Sequence, residues 1–364
     1  MLQNAENAEN AENAENAENA ENAEGRFAGG GRGSFLLSTA LARTRDGIIG
    51  TEIITGALGT IPDLSLGHRF DRLNGSHRTA VLLAEILADL EFSSNAANPD
   101  ARATTSTLSV RTNAGTPTYA TLLEMIRPSN AEFERDTEMV ANYADLRTER
   151  LPEIFTQRTD VLSFFGAIDY LTPTRNKWTI YLLSIVLDIA TSVAQTMKLT
   201  LACPRPIVFT PKLQPLIQTP EHGSYPSGHA TQAFAVATVL AELAGAGVAA
   251  DSQRFRLASR IAANRTVAGV HFTSDSAAGA ILGTTLGQYL VARARGSGSS
   301  PAREFKGQNY VENGATRDFT YAEFAKMLAG DPSTSQTGTV TPRPADILNW
   351  IWTKALKEHA DQWT

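Results

Sequence analysis

Three apolar stretches, residues 179–197, 230–250 and 276–292, constrain what this chain can fold into more than any other feature. None alternates with the two-residue period of a strand, and each is long enough for several helical turns. Their abundance of Ala and Gly allows helices to approach closely. The segments that contain them read as helices: "TPTRNKWTIYLLSIVLDIATSVAQTMK" (172–198), "GHATQAFAVATVLAELAGAG" (228–247) and "SDSAAGAILGTTLGQYLVARA" (274–294), with "SRIAANRTVAGV" (259–270) between the last two. Upstream, "HRTAVLLAEILADLEF" (77–92) places Val81, Leu82, Ile86, Leu87 and Leu90 at helical spacing, and residues 129–151 form a helix opened by a Ser129 cap. Residues 95–118 are polar and turn-rich and read as a long excursion. No series of alternating strands stands out, so the expected fold class is all-α, a soluble helical bundle.

A membrane helix needs about 20 apolar residues. The first stretch contains Asp188, the second contains Glu242, and the third has 17 residues, so no membrane span is expected. Hydrophobic content of 42% and charged content of 19% are those of a globular chain with a sizeable core. The net charge of −6 misleads, because residues 4–24 are seven copies of Asn-Ala-Glu and bring seven glutamates. The rest is nearly neutral, which argues against nucleic acid as a partner. One cysteine, Cys203, excludes an intrachain disulfide. No signal peptide is visible, and location and homo-oligomerisation stay open. The expected organisation is a low-complexity repeat and Gly-rich linker at 1–34, a helical domain at 35–295, and a linker with a short helical tail at 296–364. The tail's helical segments fall near 319–329 and 345–358.

Three fragments inside the helical domain carry chemistry. "KLTLACPRP" (198–206) supplies Lys198 and Arg205, "YPSGH" (225–229) supplies Ser227, Gly228 and His229, and "NRTVAGVHFTSD" (264–275) supplies Arg265, His271 and Asp275. Ser227 and Gly228 stand where a helix begins, and free amides at a helix start attract anions. The same serine would also serve as a plain N-cap. His271 and Asp275 are spaced i, i+4, which lets the carboxylate orient the imidazole, while Asp275 equally suits the first turn of the helix from 274. Each cation alone could be a surface residue. Together, three cations, an amide nest and two histidines match what a tetrahedral oxyanion and its proton transfers require.

The ordered motifs K-x6-R-P, P-S-G-H and R-x5-H-x3-D resemble the signature of the type-2 phosphatidic acid phosphatase superfamily, which also holds class A acid phosphatases and vanadium-dependent haloperoxidases. The likeness covers residues 198–275, and residues 127–154 look like soluble bacterial haloperoxidase-like proteins. It implies that Lys198, Arg205 and Arg265 neutralise the oxygens of phosphate or vanadate, with Ser227 and the Gly228 amide donating to another. It further implies that His271 attacks phosphorus or binds vanadium axially, that Asp275 orients His271, and that His229 is the acid–base group. Asn264 stands where many members have serine, which removes a hydroxyl donor that an amide could replace.

Two activities share such a pocket. His222, seven residues before His229, resembles a histidine of bromide- and iodide-oxidising haloperoxidases, near the halide. Gln195 stands where haloperoxidases often have tryptophan or arginine, which speaks against chloride. The expected function is a vanadium-dependent haloperoxidase using vanadate, hydrogen peroxide and bromide or iodide. The alternative is a metal-free phosphatase acting on a phosphate monoester through a phosphohistidine at His271. Phe209, Tyr225 and Phe272 stand near the motifs as pocket lining or core.

Overall fold

The computed structural model describes residue 43, residues 62–312 and residues 314–360. The Asn-Ala-Glu repeat and its linker lie outside these residues. The chain divides into two compact units, 1–80 and 81–364. In the first, helix α1 (Leu66–Asp71) is capped by Ser65, whose hydroxyl accepts from the His68 amide. Asn74 Oδ1 accepts from the His77 amide at 2.8 Å and starts helix α2 (Gly75–Leu87).

The second unit overturns the all-α expectation: 57% of the structure is helical, and a five-stranded sheet accompanies the helices. Strands β1 (Leu90–Ser94), β2 (Thr105–Arg111), β3 (Tyr119–Ile126), β4 (Ser300–Lys306) and β7 (Thr334–Val340) lie in the order β1-β2-β3-β4-β7. β3 and β4 run parallel and the other pairs antiparallel. A small antiparallel pair, β5 (Val311–Glu312) and β6 (Ala315–Thr316), lies apart. The physical reason for the miss is visible in β2. It buries Ser106, Leu108 and Val110 and turns Thr105, Thr107 and Ser109 outward, so a half-buried strand reads as polar loop. Helix α2 ends at Leu87, and Phe92, read as helical, pairs with Leu108 instead. The linker expected after residue 295 instead supplies β4, which buries Ala302 and Phe305.

The remaining α-helices among the described residues are α3 (Asn130–Asn142), α4 (Arg147–Gln157), α5 (Leu162–Asp169), α6 (Lys177–Leu201), α7 (Pro206–Phe209), α8 (Gly228–Leu243), α9 (Gln253–Val267), α10 (Thr273–Arg295), α11 (Tyr321–Ala329) and α12 (Asp346–Ala360). α3 begins with the Ser129–Glu132 capping box. α8 is buried along most of its circumference and touches α6, α9 and α10.

α10 lies closest to α8, for a steric reason. Gly279, Gly283 and Gly287 form one ridge of α10, and a Cβ at each would fall 2.6 Å from Ser227 O, 2.3 Å from Thr231 O and 2.7 Å from Thr238 Cβ. No larger residue fits, so the two backbones meet along this ridge. The sheet lies on the other side of α10, where Arg303 of β4 donates to Thr285 Oγ1 at 2.9 Å and Gln288 Oε1 at 2.8 Å. The sheet also fastens the region that carries the motifs. Ala103 N donates to Thr200 O at 3.1 Å, Arg127 Nη1 to Leu201 O at 3.2 Å, and Tyr225 OH to Ile126 O at 3.0 Å.

The expectation of no membrane span is also corrected. The segment Lys177–Phe209 is long and apolar enough to cross a membrane by length and composition, and half of its most apolar window is buried inside the protein. Within this segment Asp188 lies on the exposed face, while Ile185, Val186, Ile189 and Ala190 are buried.

Candidate active site

Turns and caps at the ends of α6, α8 and α9 bring the motif residues together. Lys198 sits on the last turn of α6, which ends with Ala202 in the left-handed region (φ 44°) and turns the chain toward Arg205. Ser227 caps α8, and its Oγ accepts from Ala230 N at 3.4 Å. The amides of Gly228 and His229 are thereby the first N–H groups of the helix, with no partner inside it. Arg265 lies on the last turn of α9. There Gly269 takes φ +77°, and the Val270 amide reaches back to Arg265 O at 3.2 Å in a Schellman-type stop. A side chain at Gly269 would also meet Arg147 Nη2 at 2.8 Å. The turn delivers His271 to the start of α10, and Ser227 N donates to Asp275 O at 2.9 Å, tying the two helix starts together.

The side chains converge as follows. Asp275 Oδ2 lies 2.8 Å from His271 Nδ1 and accepts from Phe272 N at 3.0 Å, so it is both a first-turn acid of α10 and the partner of the imidazole. His271 Nε2 lies 3.0 Å from Arg205 Nη1. A guanidinium only donates, so Nε2 accepts and the ring proton is on Nδ1, facing Asp275. Arg205 also donates to Val270 O at 2.8 Å, His222 O at 3.1 Å and Gly223 O at 3.2 Å. Lys198 Nζ donates to Gly223 O at 2.8 Å and Ser224 O at 2.7 Å, leaving one of its three N–H bonds for another partner. Arg265 is 1% exposed; its Nη2 donates to Ile154 O at 3.3 Å, while Nε and Nη1 have no partner among the described residues. His229 Nε2 is 3.0 Å from Gln157 O. His222, at the exposed rim, touches Arg205 Nη2 through Nδ1 at 3.1 Å and Gln195 through Nε2 at 3.3 Å.

Charge in this site is one-sided. Asp275, already engaged with His271, is the carboxylate that acts on the buried Lys198 and Arg205, while Glu153, gripped by Arg260, acts on the buried Arg265. Burial, and then the repulsion of Arg158, pushes the Arg265 guanidinium down to about 10, and burial takes Arg205 to about 10. Burial followed by the nearness of Arg205 lowers Lys198 well below the usual lysine range. Burial and then Arg265 push His229 down to about 3, and burial and then Arg205 lower His271 as well. Both rings are neutral at pH 7. Asp275 is raised to about 7 by burial, against the pull of Lys198. A tetrahedral oxyanion would relieve this repulsion and give the unpartnered Nε and Nη1 of Arg265 acceptors. Phosphate and vanadate suit the donor set equally, so the residues fit either.

Several residues around the site were not singled out from the sequence. Gln157 and Ile154, at the end of α4, offer carbonyls that helix ends leave free. The Arg158 amide bonds Phe155 and Thr156 rather than Ile154, which frees the Ile154 carbonyl for Arg265. Ser224 Oγ donates to Pro204 O at 2.9 Å and lies 3.5 Å from Asp275 Oδ1. The only signal for these groups is their neighbourhood in space. Asn264 turns its amide away from the site: Nδ2 donates to Gln157 Oε1 at 2.9 Å and Oδ1 accepts from Arg150 at 3.1 Å. Phe272 and Tyr225 are fully buried and join Phe133 and Phe209 in a cluster, with Phe133 and Phe272 centroids 4.8 Å apart. Cys203 is buried, and burial pushes its thiol up to about 12, which makes it unreactive.

Residues 177–296 match the family model of the PAP2 superfamily. No curated protein matches. A solved structure described as the first transmembrane PAP2 type phosphatidylglycerolphosphate phosphatase from Bacillus subtilis is similar at 22% identity, covering 45% of this chain and 85% of that one, with a TM-score of 0.33. A superposition that loose carries no argument about activity or membrane insertion. The expectation of no membrane span, already corrected by Lys177–Phe209, is not retained. The family match fits an enzyme of phosphatase type and lends no support to halide oxidation, to vanadate, or to a special closeness to soluble haloperoxidase-like proteins. The ordered lysine, arginine and histidine motifs between Lys198 and Asp275 all fall inside the matched residues, and the chain carries a PAP2 superfamily domain.

Proposed function

We propose that this chain is a phosphatase that moves a phosphoryl group from a phosphate ester to His271 and then to water. The observation that carries the reading is Arg265: a buried guanidinium with two unpartnered nitrogens, Nε and Nη1, beside two more buried cations and a neutral imidazole whose Nε2 bears a lone pair. Lys198, Arg205, Arg265, Ser227 and the Gly228 amide hold the phosphoryl oxygens, and Arg205 turns from His271 Nε2 toward them. His271 Nε2 then attacks phosphorus as the ester P–O bond breaks. His229, protonated once the anion offsets the neighbouring cations, gives its proton to the leaving oxygen. Asp275 holds the Nδ1 proton and stabilises the charge that develops on the ring. Water next attacks phosphorus while His229 takes a proton from it, the N–P bond breaks with its electron pair returning to His271 Nε2, and phosphate leaves.

The test is trapping of labelled protein from a 32P-labelled aryl phosphate. The expected result is an acid-labile, alkali-stable label on the intact protein and none on His271→Ala, which also loses turnover. Full turnover in His271→Ala would refute the reading. So would vanadate- and peroxide-dependent halide oxidation by a protein that hydrolyses no phosphate ester.

A further inference from the structure

The acid–base histidine is held by a helix outside the family match. A carbonyl oxygen only accepts, so His229 Nε2 donates to Gln157 O at 3.0 Å. The Nε2 position of the ring is thereby occupied, and Nδ1 is the nitrogen that gains and loses the transferable proton. Gln157 ends α4, twenty residues before the matched region begins at 177. Its carbonyl is free because helix ends leave carbonyls without partners, but a helix end also frays unless something holds it. Here the Gln157 side chain holds it. Gln157 is fully buried; its Nε2 donates to Glu153 Oε1 at 2.9 Å, and its Oε1 accepts from Asn264 Nδ2 at 2.9 Å. Glu153 is in turn gripped by Arg260, with contacts of 2.7 to 2.9 Å, and Asn264 Oδ1 by Arg150 Nη1 at 3.1 Å.

We infer that Asn264 and Gln157 are positioning residues for the general acid: Asn264 anchors the Gln157 side chain, and the Gln157 carbonyl fixes the tautomer and aim of His229. The geometry assigns a use to the residue by which this chain departs from the pattern it resembles. A serine at 264 would be too short to reach across to Gln157, whereas the amide spans the gap and leaves no polar atom of its own to spare for an anion. The arrangement mirrors the other imidazole, where Asp275 holds Nδ1 of His271 and leaves Nε2 to react. The inference rests on the phosphatase reading for its kinetic consequence and on the geometry alone for the tautomer.

The experiment compares the intact chain with Asn264→Ala and Gln157→Ala, using phenyl phosphate, whose poor leaving group needs the acid, and p-nitrophenyl phosphate, which needs it little. Acid catalysis is worth orders of magnitude, so a misaimed acid is expected to cost about tenfold with phenyl phosphate and distinctly less with the p-nitrophenyl ester. Asn264→Ala should cost nothing further in a His229→Ala background, and inhibition by inorganic phosphate should keep its strength. Equal losses with both esters, additivity with His229→Ala, or weakened phosphate binding would overturn the inference. The tautomer is read without turnover from imidazole nitrogen NMR. The intact chain should show His229 protonated at Nε2, and Asn264→Ala a mixture of tautomers. A His229 protonated at Nδ1 in the intact chain, or an unchanged pattern in the variant, would also overturn it. A protein that shows the expected tautomer shift but hydrolyses neither ester refutes the phosphatase reading and leaves the positioning supported.

Discussion

Arg265 shows most directly how burial leaves a charged side chain short of partners. An arginine that is 1% exposed, with only Nη2 partnered, is costly to keep charged without an anion. A charge-assisted contact contributes about 1.5–3 kcal/mol, so Arg265→Ala is expected to weaken oxyanion affinity at least tenfold while circular dichroism keeps its helical signal. Unchanged affinity for inorganic phosphate would remove Arg265 from the site. The histidines yield a prediction with a definite sign. His229 is held down at about 3 by burial and by Arg265, and His271 is lowered too, so both are unprotonated in the free protein at neutral pH. A bound dianion offsets the cations and raises both values toward the ordinary histidine range near 6.5. In the window between the free and bound values, binding takes up protons and tightens as pH falls. Sulfate is a suitable probe because it does not titrate there, and calorimetry in buffers of different ionisation enthalpy should show net uptake. Net release would contradict the proximity of these rings to the anion. Of the site residues, Lys198, Arg205, Ser227, Arg265, His271 and Asp275 were legible because each stands in a short ordered motif. Gln157, Ile154 and Ser224 were not, because two of them act through backbone carbonyls, to which the identity of the side chain gives no clue.

At the scale of elements, the glycine ridge of α10 sets the distance between the two helix starts that make the site. Gly279, Gly283 and Gly287 recur every four residues and lie along α8, whose first turn carries Ser227, Gly228 and His229. Gly283→Ala would put a methyl group 2.3 Å from Thr231 O, backbone that cannot step aside alone. Overpacking of this kind costs about 1–3 kcal/mol, and the helices would part by moving Asp275 away from Ser227. A lower melting temperature together with reduced turnover is expected. Gly115→Ala, where a new Cβ meets nothing within 4 Å, serves as the control. Equal melting temperatures for the two variants would show that α10 has room to spare. Close approach was legible as an excess of Ala and Gly, but which face of α10 bears the ridge, and against which helix, emerges only from the assembled fold.

Across the whole of residues 81–364, one buried carboxylate joins parts of the chain that are distant in sequence. Asp89, just after α2, lies 2.7 Å from Arg293 at the end of α10 and 2.9 Å from Arg343 after β7, and its carbonyl accepts from Arg111 N of β2 at 2.9 Å. Removing one partner of a buried ion pair costs about 3–5 kcal/mol, so Asp89→Ala should lower the urea midpoint by a corresponding amount. A change within the range of exposed pairs, below about 1 kcal/mol, would show that the arginines find other acceptors. The sequence by itself determined three long helices, within a few residues of 177–201, 228–243 and 273–295, and the motif residues that the fold brings together, because helical periodicity and short motifs are local and need no knowledge of the rest. Only the tertiary structure decided the sheet, since β3 finds its parallel partner β4 on the far side of nearly the whole helical region, and half-buried strands with Thr and Ser outward look like loop until that partner is in place. It likewise decided which free carbonyls of α4 meet Arg265 and His229, because a carbonyl is present at every residue and acquires a role only from what the fold sets within three ångströms of it.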